Sequence, residues 1–143
     1  MKKIFILMYL IVHSILVNAQ TIQENDITIE YEINDKTLIV HVFVAGVTDE
    51  CIFNIYIADK VHSEYGWMGA IGTELKYSGG SSANLFFFLF RNDINHVCDV
   101  LTDSLSDTRL STRFRNKSAN IVALIRDILV EAMETGILNL ADN

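Results

Sequence analysis

The chain has 143 residues, half of them hydrophobic, with eleven basic and eighteen acidic side chains and a net charge of −7. Such an acidic balance repels phosphate backbones, which argues against nucleic-acid binding. There is no proline, no low-complexity stretch and no internal repeat to mark a linker.

The first nineteen residues have the three parts of a secretory signal. Lys2 and Lys3 form a positive start, residues 4–17 are apolar apart from His13 and Ser14, and Val17-Asn18-Ala19 fits a peptidase site. The apolar run is shorter than the ~20 residues that a membrane span requires, and polar chain follows at once. The expectation is cleavage after Ala19, export to a periplasmic or extracellular space, and no stable membrane insertion afterwards. Residues 20–143 then form one domain, and loss of the two lysines moves the net charge to −9.

Residues 26–33 alternate, with Ile27, Ile29, Tyr31 and Ile33 on one side and Thr28, Glu30 and Glu32 on the other. That period predicts a half-buried strand. Asn34-Asp35-Lys36 is turn chemistry. Residues 38–44 are apolar on both sides except for His41, and read as a more central partner strand. After a turn at 46–50, residues 52–58 predict a third strand. Residues 59–72 hold His62, Tyr65, Trp67 and three glycines, and read as a structured loop with Trp67 in the core. Residues 73–77 predict a short strand, and Ser78-Gly79-Gly80-Ser81-Ser82 a flexible connection. Residues 85–90 are six large apolar side chains, four of them Phe, which predicts a strand buried on both faces.

Asn92 or Asp93 is suited to cap a first helix, with Ile94, Val97, Cys98, Leu101 and Leu105 on one face. Ser118 is placed to cap a second, whose apolar arc runs through Ile121, Val122, Leu124, Ile125, Ile128, Leu129, Ala132 and Met133. Gly136 and Ile137 suit its C-terminal end. Strands followed by helices predict an α+β fold: an antiparallel sheet of about five strands, with two C-terminal helices packed on one face. Phe86, Phe88, Ile125 and Leu129 are expected to be buried together.

Cys51 and Cys98 are the two cysteines, and an oxidising compartment favours a disulfide between them. His96, Asp99 and Asp103 share the polar face of the first helix and read as a solvated acidic face; nothing in the pattern asks for a metal or other cofactor. His41 lies among apolar strand neighbours, beside Glu30 or Glu32 of the adjoining strand, and no G-x-S-x-G or other catalytic signature accompanies it. Four of the nine basic residues left after cleavage fall at Arg109, Arg113, Arg115 and Lys117. With Phe114 between two arginines, Arg109, Arg113, Phe114 and Arg115 form a candidate partner-binding patch.

These features favour an exported binding protein acting by protein–protein contact, such as an immunity or inhibitor protein that masks a toxin or hydrolase. Alternatives are a small exported hydrolase with a His-based site, and a homo-oligomer subunit that uses the exposed sheet face. Intact mass of the exported chain is expected to start at Gln20 or its pyroglutamate. Retention of residues 1–19 on membrane-extracted protein would contradict the soluble reading.

Overall fold

The computed structural model describes residues 19–62, 66–90 and 94–135, with side chains at 19–56, 69–87 and 94–135. The expected signal segment therefore lies outside the described residues, except for Ala19.

Six strands form one antiparallel sheet in sequence order: β1 (Gln20–Glu24), β2 (Ile27–Asn34), β3 (Thr37–Val44), β4 (Glu50–His62), β5 (Gly66–Tyr77) and β6 (Gly80–Phe90). Helices α1 (Asn95–Leu105) and α3 (Ser118–Glu134) follow, with a single helical turn α2 (Thr112–Arg115) between them. The α+β order expected from the sequence is the order observed, with one strand more than the periodicity shows.

Two-residue hairpins explain the tight meander. Asn25 and Asp35 begin the β1–β2 and β2–β3 turns with φ of 55° and 59°. Asn and Asp tolerate that left-handed geometry because their short polar side chains bond locally.

Opposite residues in an antiparallel pair point to the same side of the sheet. The register therefore aligns Ile29, Val42, Cys51 and Leu75 across β2 to β5, and Tyr31, Val40, Phe53 and Thr73 beside them. This face is the core. Ile29, Val40, Val42, Cys51, Phe53, Ile55 and Ile71 are fully buried there. The helices cover it with Val97, Leu101 and Leu105 of α1 and Ile121, Ile125, Ile128, Leu129 and Ala132 of α3. Between them, Leu110 and Phe114 complete the same apolar cluster.

Several expectations are corrected. β1 has one apolar side chain in its middle, Ile22, set against Ile29. A strand that polar gives almost no alternation to detect. Residues 59–72 are mostly strand, since β4 runs to His62 and β5 starts at Gly66. Gly69 and Gly72, which resemble loop punctuation, lie within β5; a Cβ at Gly72 would meet the Asn54 Cβ at 3.9 Å and Leu85 Cδ1 at 4.0 Å. The side chains of His62, Tyr65 and Trp67 lie outside the described residues.

The Phe-rich strand is not buried on both faces. β6 is the outer strand, and Leu85, Phe86 and Phe87 are exposed by 61%, 39% and 72%. Ile125 and Leu129 are buried as expected, but Phe86 does not join them in the core, and Phe88 lies outside the described side chains. Helix caps differ too. Ile94 and Lys117 take the N-cap positions of α1 and α3, without side-chain capping bonds. Asn92, Asp93, Gly136 and Ile137 fall outside the described residues.

The burial difference sets a stability contrast. Leu129→Ala is expected to cost about 2–5 kcal/mol by opening a cavity under α3. Phe86→Ala is expected to cost well under half as much in the same urea titration, because part of its ring is already in water. Equal costs would contradict the marginal placement of β6.

Candidate contact surface

The basic segment is tied into the fold. The β1–β2, β3–β4 and β5–β6 turns share one end of the meander, and residues 107–117 run across it. Arg113 donates from Nε to the Ala45 carbonyl at 2.7 Å and from its terminal nitrogen to Asp26 Oδ2 at 2.9 Å, bridging two turns. Lys117 Nζ lies 3.8 Å from the same Asp26 oxygen. The third turn is held by Arg109, which donates to the Tyr77 hydroxyl at 3.0 Å and stacks 5.0 Å from that ring's centroid. The stacking arrangement is a cation–π contact.

Asp107 accepts from both the backbone and the guanidinium of Arg109, and these bonds hold its carboxyl down at about 2. Asp49, only 5% exposed, accepts from the Ser111 backbone N–H at 2.6 Å. Ser111 is in turn the N-cap of α2, its hydroxyl accepting from the Phe114 N–H. Arg115 donates to the Leu110 carbonyl at 3.0 Å and to the Thr112 hydroxyl.

Of the four residues expected to contact a partner, Phe114 is fully buried, while Arg109, Arg113 and Arg115 direct donors into their own chain. The alternation of arginine and aromatic, which resembles an interface anchor in sequence, here fastens the helices to the sheet turns.

The cysteines are not joined in a disulfide. Cys51 lies on the core face beside Leu75, near the turn end of the sheet. Cys98 lies in the first turn of α1. That helix begins after β6 has crossed to the other end, and its rise from Cys98 to Leu105 is ~10 Å at 1.5 Å per residue. Burial, followed by the charges of Asp49, Glu50 and Asp107, pushes the Cys51 thiol up to about 12. At neutral pH it remains a protonated, inert core group.

The face opposite the helices has a different character. Thr28, Glu30 and Glu32 of β2, Ile39, His41 and Phe43 of β3, and Glu74 of β5 are half-buried, while Asn54 and Lys76 are exposed. His41 Nδ1 lies 3.1 Å from Glu50 Oε2, and Lys76 Nζ 3.8 Å from the other oxygen of Glu50. The sequence pointed to Glu30 or Glu32 beside His41. Glu30 is its cross-strand neighbour, but the contact is made with Glu50 on the other side. The pair sits on an open surface, with the imidazole 39% exposed.

Along the β6 side of this face the charges give way to apolar groups. Tyr56 of β4 pairs with Ala70 of β5, Ala70 with Phe87 of β6, and Gly72 with Leu85. Tyr56, Leu85 and Phe87 are exposed by 44%, 61% and 72%. The sequence signal for this patch was the uncharged Phe-rich run, which reads as core because its edge position is not written in it.

A cleft of about 250 Å³ lies at the other margin, lined by Gln20, Tyr31, Ile33, Ile128, Glu131, Ala132 and Thr135. There the Tyr31 hydroxyl donates to Gln20 Oε1, and burial, with Glu131 nearby, raises its pKa. His96, Asp99 and Asp103 are exposed on α1, and among the described residues no three metal-ligating side chains converge. No helix among the described residues is long and apolar enough to cross a membrane. No protein-family model, curated protein or solved structure matches the chain.

The fastening role has a measurable consequence. Asp49→Ala leaves the part-buried Ser111 N–H without its acceptor and is expected to cost about 1 kcal/mol or more in urea unfolding. Arg113→Glu sets a carboxylate against Asp26 and is expected to destabilise by about 1 kcal/mol. Unchanged unfolding curves for both variants would contradict the fastening role.

Proposed function

We propose that this protein is an exported contact protein that works by protein–protein association, and that it does so through the helix-free face of its sheet toward β6. The observation that carries this reading is the grouping of Tyr56, Leu85 and Phe87 on one face, each more than two-fifths exposed. Contiguous exposed apolar patches on small domains mark interaction sites, and aromatic side chains are the usual anchors. Export rests on the basic, apolar and small-residue pattern of residues 1–19.

Surrounding chemistry supports the same reading. Glu30, Glu32, Glu50 and Glu74 lie on this face beyond the apolar patch, giving it the polar rim common to interfaces. The inhibitor or immunity form of the proposal draws on those carboxylates, which would steer a basic partner surface. The hydrolase alternative draws on His41, whose ring is already engaged by Glu50 on an open surface where water competes for every contact.

Site-specific photo-crosslinking tests the face directly. A photoreactive side chain at Phe87 is expected to give protein adducts in the compartment to which the chain is exported. The same group at Asp127, exposed on α3, serves as the control. Equal adduct formation at the two positions would overturn the proposed face.

A further inference from the structure

Among the described residues, β6 hydrogen-bonds to β5 and to no other strand. It has eleven residues, none of them charged, and pairs with β5 without a register shift from Tyr77↔Gly80 to Trp67↔Phe90. Outer strands of soluble proteins are normally blunted by shortness, charge, proline or bulges, because an unpaired row of N–H and C=O groups is a template for another strand. The opposite margin follows that practice, since β1 has five residues and ends on Glu24. β6 uses none of these devices and exposes Leu85, Phe86 and Phe87 instead.

Resting on the contact reading above, we propose that β6 pairs antiparallel with β6 of a second copy of this chain, joining the two sheets across a twofold axis. At this edge charge does not oppose a second copy. Two bodies of net charge −7 or below repel, and can approach closely only where charge does not face charge. β6 supplies such an edge along its whole length.

The sequence of the strand is also self-complementary. A twofold axis at Phe86 sets Leu85 opposite the partner's Phe87 and Phe86 opposite the partner's Phe86. Cross-strand pairs of this apolar and aromatic kind favour pairing. A slip of two residues toward Asn84 would instead set Phe86 against Ser82 of the partner subunit. The Phe86-centred register matches odd positions with odd ones. Both helix layers then lie on one side, and the two Tyr56–Leu85–Phe87 patches merge on the other.

The surface available fits a modest dimer. At about 200 Å² per side chain, the exposures of Leu85, Phe86 and Phe87 leave roughly 350 Å² of apolar surface per copy. A standard interface takes about 800 Å² per partner, and the backbone edge of the strand adds to the side chains without greatly exceeding that figure. The association is therefore expected to be reversible, in the micromolar range. It closes on itself, because the β1 margins left outside are short and carry Glu24.

Sedimentation velocity on the purified chain over a concentration series is the first test. The unsubstituted chain is expected to show a monomer–dimer equilibrium. Leu85→Glu with Phe87→Glu is expected to weaken it at least tenfold with little change in melting temperature, since both side chains are already exposed. Should that variant fail to fold, Phe86→Cys gives an independent reading. Directly opposed strand residues have Cα atoms about 4.5–5.5 Å apart, within disulfide range. Mild oxidation should give a covalent dimer from Phe86→Cys, and not from Ala83→Cys or the unsubstituted chain. A chain monomeric to hundreds of micromolar, a dimer indifferent to the double substitution, or no selective crosslink at Phe86→Cys would each overturn self-pairing. If the chain is monomeric but its Phe87 photo-adduct contains a different protein, self-pairing falls and the contact reading stands. With neither dimer nor adduct, both fall.

Discussion

Asp26, Ala45 and Asp49 belong to turns that a meander brings to the same end of the sheet, and the residues that bridge them decide where the helices go. Arg113 joins the first two turns, Asp49 holds the Ser111 N–H, and Arg109 reaches the third turn through Tyr77. Leu110 and Phe114 enter the core between these polar ties. The polar bonds lie at the rim while apolar burial supplies the larger driving force, so the ties set position more than total stability. With the chain held at that end, α1 arrives there and α3 leaves, and the two lie antiparallel over the sheet.

That placement has a geometric cost at the β6 margin. A six-stranded sheet at about 4.8 Å per strand is wider than two helices packed 8–10 Å apart. Ile29, Val40, Phe53 and Ile71 lie beneath the helices and are fully buried, whereas Phe86, paired with Ile71 on the same face, remains 39% exposed. On the other face no described helix covers Leu85 or Phe87. The exposed apolar margin thus follows from strand order and helix width, and the absence of charge along β6 leaves it open to association.

Charge is partitioned in a way that suits this division. Arg109, Arg113 and Arg115 each bond a carboxylate, carbonyl or hydroxyl of their own chain. The carboxylates of Glu30, Glu32 and Glu74 lie on the helix-free face, on β2 and β5, outside the apolar margin. On the proposed contact reading, a partner would meet first a long-range negative field and then an uncharged edge. In that reading the first would govern encounter and the second docking.

Local pattern determined much of this protein. Alternation at 26–33, turn residues at Asn34-Asp35-Lys36 and the helical arcs through Leu101 and Leu129 each act over a few residues, so the α+β order and most of the core were legible. What escaped were properties that depend on neighbours distant in sequence. β1 is a strand because Ile22 meets Ile29, and Gly72 lies within β5 where Leu85 and Asn54 approach it. Cys51 and Cys98 are separated by the direction in which α1 runs. The candidate segment was legible as composition, whereas the bonds it makes within its own chain were not. Phe114 is buried where an exposed anchor was expected, and Leu85, Phe86 and Phe87 are exposed where core was expected, because an aromatic between arginines can turn inward, and a Phe-rich strand is core only if another strand or helix covers it. Periodicity encodes the face of an element; strand order and packing decide which faces meet water.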